Sequence, residues 1–527
     1  MPLSQFSAPV RAWFETSFPA PTAAQAQGWP VISGGEHTLI LAPTGSGKTL
    51  AAFLWGLDRL VTTPPPADKN RRTRLLYISP LRALAVDVEK NLRAPLMGIA
   101  LAAERLGEPF NLPTVGMRTG DTPPDERRKL IRNPPDLLIT TPESLYLMLT
   151  SAARETLVGV EAVIIDEIHA LAPTKRGAHL ALTLERLDAL IQKSRADAGV
   201  VTEAPGFQRI GLSATQRPLD VIAQFLAGRS ATTAQPRPVH IVDAGVRKEL
   251  EIEVIVPVED MGALGEVIED PQAGPDGGYT PQRRSIWPSM HSHLLELVQE
   301  HRSTLIFVNA RRLAERLATR LNELYLEDEN RAAEAEGRPP PPGMELVKAH
   351  HGSLSRERRL QIEDELKSGR LKGLVATSSL ELGIDMGAVD LVIQVESPGA
   401  VSRGLQRIGR AGHQVGEPSR GKIFPKHRND LVETAVVVER MEAGLIEHTR
   451  YPRNPLDVLA QQIVAMCALD DWTLERLATV VRRAANFAEL SDDVLTSVLD
   501  LLVGRYPSEE FSELRPRLVW DLSLIHI

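Results

Sequence analysis

The chain has 527 residues, with 60 Lys and Arg against 68 Asp and Glu and a net charge of −8. At roughly 100–200 residues per domain there is room for three or four domains with full cores, and the acidic balance means that any nucleic-acid contact must come from a local basic groove. Its single cysteine, Cys467, excludes a disulfide framework and a thiolate zinc cluster and fits a reducing cytosol; with no secretory pattern at the N-terminus and no bilayer-length apolar run, the chain reads as a cytoplasmic protein without a membrane span.

From residue 38 to 219, short apolar runs alternate with longer helical stretches. The runs are Thr38-Leu-Ile-Leu-Ala42, Leu75-Leu-Tyr-Ile78, Leu137-Leu-Ile139 and Ala162-Val-Ile-Ile165. This rhythm predicts a parallel α/β sheet. Ahead of it, in Pro21-Thr-Ala-Ala-Gln25, the Gln25 amide offers a paired donor and acceptor that suit an adenine edge.

Leu39-Ile-Leu41 runs into Ala42-Pro-Thr-Gly-Ser-Gly-Lys-Thr49, a strand, a phosphate loop and a helix start, with Ala42 in place of the usual first glycine. Thr44, Gly45, Ser46 and Gly47 form the loop, and the two glycines let backbone N–H groups approach phosphate oxygens closely. Lys48 reaches the β- and γ-phosphates of ATP and Thr49 ligates Mg²⁺. Further on, Ala162-Val-Ile-Ile-Asp-Glu-Ile-His169 delivers Asp166 to the metal and Glu167 to the attacking water, with His169 expected to link the site to a second domain.

A second α/β series starts at Thr304-Leu-Ile-Phe-Val308 and continues through Gly373-Leu-Val-Ala376 and Leu391-Val-Ile-Gln-Val395. Two irregular tracts, 271–282 and 327–343, read as surface loops or insertions because of their Pro and Gly content. Past about residue 446 the periodicity turns helical: Leu456, Leu459 and Ile463 share a face, and Ser491 caps a helix carrying Leu495, Val498, Leu499 and Leu502. Leu522-Ser-Leu-Ile-His-Ile527 breaks that pattern and reads like a translated sequencing adaptor, so the natural chain is expected to continue past Asp521.

With Ser213-Ala-Thr215 and Gln406-Arg-Ile-Gly-Arg-Ala-Gly-His413 added, the ordered motif set resembles the superfamily 2 helicases. Thr140-Thr-Pro-Glu-Ser144, Lys175-Arg-Gly-Ala-His179, Ala376-Thr-Ser-Ser-Leu-Glu-Leu-Gly-Ile-Asp385 and Phe424-Pro-Lys-His427 are similar to the large helicase-related (Lhr) family. The resemblance implies two tandem RecA-like parallel-sheet domains, 1–235 and 236–445, with insertions near 259–290 and 326–343. Residues 446–521 would be the start of a mainly helical winged-helix domain, and 522–527, by its break in pattern, reads as a non-native tail.

The resemblance also implies an ATP- and Mg²⁺-dependent 3′-to-5′ motor that moves on single-stranded DNA and unwinds duplexes, including RNA:DNA hybrids, with DNA repair as its role. Within it, Arg410 is the preferred arginine finger, Arg407 the weaker candidate, and Gln406 lies near the γ-phosphate. Gly383 and Asp385 complete the ribose and metal side, and Ser213 and Thr215 relay γ-phosphate loss. Strand contacts fall on Arg82, Arg118, Gly120, Thr141, Ser144, Asn309, Ser353, Thr377 and Ser378. Aromatic residues make up only 4% of the chain, so backbone contacts rather than base stacking would carry affinity. A strand-binding platform without turnover and an ATP-gated clamp remain open beside the motor.

Overall fold

The computed structural model describes residues 2–43, 45–200, 205–214, 216–245, 249–265, 285–339, 345–381, 389–412, 418–505, 515–521 and 524–526. They form two compact units, Met1–Val246 with His448–Ile527, and Arg247–Glu447.

The first unit opens with α1 (Ala8–Ser17), α2 (Ala23–Ser33) and β1 (Thr38–Leu41), followed by α3 (Lys48–Thr62), β2 (Leu75–Ile78), α4 (Arg82–Leu106), β3 (Val115–Arg118) and α5 (Pro124–Arg132). It continues with β4 (Leu137–Thr140), α6 (Pro142–Leu149), β5 (Ala162–Ile165), α7 (Ile168–Leu171), α8 (Lys175–Asp197), β6 (Gln208–Ser213), α9 (Leu219–Ala227) and β7 (His240–Asp243). Among the described residues the seven strands make one parallel sheet in the order β3-β4-β2-β5-β6-β1-β7. β1, β2 and β4 are buried at every position, because crossover helices cover both faces and leave no side of the strand for polar residues. β7 pairs with β1, so the first sheet runs past residue 235 to Asp243.

The second unit holds β8 (Leu250–Val254), α10 (Trp287–Glu300), β9 (Thr304–Phe307), α11 (Arg311–Glu336), β10 (Val347–His350), α12 (Arg356–Lys367), β11 (Gly373–Ala376), β12 (Leu391–Val395), α13 (Val401–Ile408), β13 (Ser419–Phe424) and α14 (Arg428–Ala443). Its described strands form a parallel sheet in the order β10-β11-β9-β12-β13-β8. The irregular tract expected from residue 327 is helical as far as Glu336, continuing α11. Glu, Arg and Ala are good helix formers, the pair Arg331 and Asp328 adds an i,i+3 contact at 3.0 Å, and Ala333 is buried. Gly337, at φ 67°, stops the helix in the left-handed conformation.

The chain then returns to the first unit with α15 (Leu456–Cys467), β14 (Trp472–Thr473), α16 (Leu474–Arg483), α17 (Asp492–Leu502), β15 (Val519–Asp521) and β16 (Leu524–His526). The three short strands form an antiparallel sheet in the order β14-β16-β15, the helices and small sheet of a winged helix. Residues 524–526, set apart in the sequence as an adaptor-like tail, occupy the central strand, with Ile525 fully buried.

This segment shares a hydrophobic core with α8, Leu459, Ile463, Met466 and Leu477 joining Leu180, Leu184 and Leu187. A buried ionic cluster reinforces the contact. Glu185 of α8 takes Arg209 of β6 at 2.7 Å, Arg237 at 2.9 Å and Arg483 of α16 at 2.9 Å, while Arg483 also pairs with Asp188. Burial alone would raise the Glu185 carboxyl, but the three guanidinium groups hold it well below the usual carboxylate range.

Candidate active site

β6 lies between β5 and β1 in the first sheet. The loops after β1 and β5 therefore flank it at the carboxyl edge, where parallel sheets bind ligands. In the loop after β1, Gly45 and Gly47 sit at φ 82° and 76°, conformations that a Cβ makes costly. The Ser46 hydroxyl donates to the Pro43 carbonyl at 2.7 Å and closes the turn. Lys48 and Thr49 open α3, whose N-terminal amides face the loop. Thr44 lies outside the described residues.

Gln25 is buried against this loop. Its Oε1 accepts the Thr22 amide at 3.0 Å in a capping box at the start of α2, and its Nε2 donates to the Gly47 carbonyl at 3.4 Å. The structure thus gives Gln25 a cap and a hold on the phosphate loop.

β5 delivers Asp166 and Glu167 across from the loop, both almost fully buried. The Lys48 ammonium is 3.9 Å from Glu167 Oε1. Asp166 Oδ1 accepts the Glu167 amide at 2.8 Å, and Oδ2 accepts the hydroxyl of Tyr77. Burial and the neighbouring Glu167 push the Asp166 carboxyl up to about 6, with Lys48 pulling the other way. Glu167 has φ 46°, a left-handed conformation in which a non-glycine residue is strained and which is typical of functional sites.

His169 is buried, and its Nδ1 accepts the Ala214 amide at 3.2 Å. That bond assigns the proton to Nε2, and burial lowers the imidazole to about 4, keeping it neutral. The bond joins the loops after β5 and β6 within one unit. Ser213 ends β6, its hydroxyl donating to the Ala214 carbonyl at 2.8 Å, and Thr215 lies outside the described residues.

The strand candidates of this unit fall on the same edge, after β2, β4 and β3, three adjacent strands. Arg82 opens α4, pairs with Asp121 and lies so close to Gly120 that a Cβ there would meet its Nη2 at 2.5 Å. Arg118 ends β3, and its carbonyl accepts the Thr140 hydroxyl at 2.8 Å. Thr141 caps α6, taking the Ser144 amide at 3.4 Å and donating to the Ser144 hydroxyl at 3.1 Å. Arg127, which the sequence reading passed over, donates to the Gly120 and Thr122 carbonyls and shapes this rim.

In the second unit, Asn309, Ser353, Thr377 and Ser378 follow β9, β10 and β11, again adjacent strands. Ser353 accepts from Arg311 at 2.9 Å, and Asn309 donates to the Ser397 carbonyl at 3.0 Å. Arg407 of α13 is built into the interior: it donates to Glu381 at 2.7 Å, Gln394 at 2.8 Å and Asn309 at 3.1 Å, and lies over the Phe307 ring at 5.2 Å. These bonds tie α13 to the ends of β9 and β12 and to the segment after β11. Arg410 is half-buried and donates to the Glu381 carbonyl at 2.8 Å. Gln406 is half-buried on α13, and Gly383 and Asp385 lie outside the described residues.

Three family models match in chain order: DEAD/DEAH box helicase over residues 22–222, helicase conserved C-terminal domain over 289–414, and the winged helix domain of large helicase-related protein over 439–525. The Lhr helicase/probable uracil glycosylase of Mycolicibacterium smegmatis is 53% identical over 99% of the chain, and the Lhr helicase/uracil glycosylase of Escherichia coli 51% identical over 98%. The chain spans 33% of the length of each of these relatives. A solved structure of the Mycobacterium smegmatis helicase Lhr bound to ssDNA and AMP-PNP superposes with a TM-score of 0.83 at 54% identity, covering all of this chain and 61% of that one. The chain belongs to the large helicase-related (Lhr) family of ATP-hydrolysing superfamily 2 helicases.

Proposed function

We propose that the chain is an ATP-dependent DNA translocase that moves 3′ to 5′ on single-stranded DNA and unwinds duplexes, including RNA:DNA hybrids, in DNA repair. The observation that carries this reading is the buried Lys48, Asp166 and Glu167 group at the carboxyl edge of the first sheet, tied through His169 to the loop after β6. The relative solved with ssDNA and AMP-PNP supports both ligands.

In this reading the loop amides and Lys48 hold the ATP phosphates, and Glu167 accepts a proton from the attacking water. The donor set fits Mg²⁺: a hydroxyl, Thr49, and a carboxylate, Asp166, whose oxygens each keep lone pairs beyond the one donor they accept. When bound, Mg²⁺ would neutralise charge on the β- and γ-phosphate oxygens. Gly383 and Asp385 would serve the ribose and metal, Arg410 would neutralise charge at the γ-phosphate, and Gln406 would lie beside it. Ser213, Thr215 and His169 would report the γ-phosphate to the strand-contacting loops. Arg82, Arg118, Gly120, Thr141, Ser144, Asn309, Ser353, Thr377 and Ser378 would supply sequence-independent backbone contacts.

ATP turnover measured with and without single-stranded DNA tests the motor reading. Acceleration by the strand, abolished in Lys48→Ala, is the expected result, and a strand-independent rate would contradict it. Displacement of streptavidin from 5′- but not 3′-biotinylated strands is the result expected for 3′-to-5′ travel.

A further inference from the structure

Tyr77 is the third residue of β2, fully buried and in register with Ile164 of β5. Side chains two apart on a strand share a face, so Asp166, two residues beyond Ile164, lies on the same face as Tyr77 and one rung ahead. A phenol is long enough to cover that offset, and its O–H donates to Asp166 Oδ2. Its ring belongs to an apolar core that also holds Ile40, Ile139 and Ile164. Packing alone would be met by Phe, and a buried hydroxyl is costly unless it is hydrogen-bonded. Asp166 is the partner that stabilises it.

The ring is fixed as firmly as the hydroxyl. It stacks on Phe53 of α3, centroids 5.0 Å apart and planes at 29°. Phe53 stands one helical turn beyond Thr49, on the same face of α3. Tyr77 therefore joins the helix that carries Thr49 to the strand that delivers Asp166, the two side chains assigned to the metal under the proposed function.

We propose that Tyr77 is a positioning residue for the metal of the ATP site. Its hydroxyl fixes the Asp166 carboxylate by occupying one lone pair of Oδ2, as the Glu167 amide does for Oδ1, and leaves the other lone pairs for the metal's coordination sphere. This rests on Asp166 being the metal carboxylate.

The test uses the full chain with AMP-PNP and Mn²⁺ as a paramagnetic probe, titrated by electron paramagnetic resonance. Tyr77→Phe keeps the stacked ring and removes one hydrogen bond to a charged group, which should weaken Mn²⁺ binding roughly tenfold. AMP-PNP affinity in EDTA should stay unchanged. In an Asp166→Asn background, the same change should have no further effect. Phe53→Leu, which keeps the hydroxyl but loosens the ring, should weaken Mn²⁺ in the same direction by a smaller factor. Wild-type Mn²⁺ affinity in Tyr77→Phe, or an undiminished effect in the Asp166→Asn background, would overturn the positioning role while leaving Asp166 as metal carboxylate. Wild-type Mn²⁺ affinity in Asp166→Asn alone would overturn both.

Discussion

Nδ1 of His169 accepts the Ala214 amide at 3.2 Å, so the loop that presents Asp166 and Glu167 is bonded to the loop that follows Ser213. Both partners are buried or half-buried in the first unit, where such a bond is shielded from water and an unmade one leaves an orphaned donor.

Replacing His169 by Ala strands the Ala214 N–H, at a cost of about 1–3 kcal/mol, and strand-stimulated turnover should fall roughly tenfold to a hundredfold. Nucleotide affinity should be retained, since the phosphate loop is untouched. Parallel measurement of fluorescent-nucleotide binding and of ATPase with and without DNA checks the split. An equal loss of binding and turnover would place His169 in the nucleotide pocket instead.

Gly47→Ala puts a methyl on a backbone at φ 76° and 2.6 Å from Gln25 Nε2. The left-handed conformation alone costs an L-residue about 1–2 kcal/mol, and relief requires Gln25 to leave either the capping box or the loop. ATP affinity should drop by about tenfold or more on that basis, as read by isothermal titration calorimetry, with little change in strand binding.

Arg483→Met removes one guanidinium from the Glu185 and Asp188 cluster and leaves carboxylates buried without their full complement. Breaking a buried charge group in this way costs about 3–5 kcal/mol, which for a unit of this size lowers the melting temperature by roughly 5 °C. Scanning calorimetry checks it. Because Arg483 also fastens α16 to α8, protease sensitivity of the segment after residue 447 should rise in parallel.

His37 accepts the Arg209 amide through Nδ1 at 3.0 Å and is buried. Burial, then the nearby Arg209 and Arg237, lower it to about 3 from an ordinary value of 6.5. The folded state therefore binds fewer protons than the unfolded state between these values, so stability is full above about 6.5 and is lost as pH falls toward 3. His169, at about 4, acts in the same sense, while Asp166, raised to about 6, acts in the opposite one. Comparing wild type with His37→Gln isolates the histidine: denaturant midpoints should fall less steeply between pH 6.5 and 4 in the variant. Parallel slopes would show that His37 is not what titrates.

The loop after β1 and the carboxylates after β5 were legible because their signals are local. A buried strand, two glycines and Lys48-Thr49 are contiguous, and Asp166-Glu167 end an apolar run. The two parallel sheets followed from the same alternation of runs. Tyr77 was hidden for the opposite reason: its partner is 89 residues away on a neighbouring strand, and strand adjacency is not written in either segment. The Glu185 cluster draws Arg209, Arg237 and Arg483 from three distant segments, so no single stretch announces it. The last turns of α11 were missed because a Glu-rich stretch close to Pro339-Pro-Pro-Pro342 looks like a linker, although its own residues favour a helix.

Glu167→Gln is the most direct test of a hydrolytic site at the edge of β5, because an amide keeps the size of the side chain but cannot take a proton from water. Equilibrium ATP binding and single-turnover hydrolysis, measured on one preparation with saturating single-stranded DNA, should show ATP held near wild-type affinity and turnover reduced by roughly a hundredfold or more. Hydrolysis at the wild-type rate would contradict the assignment of Glu167 as the base.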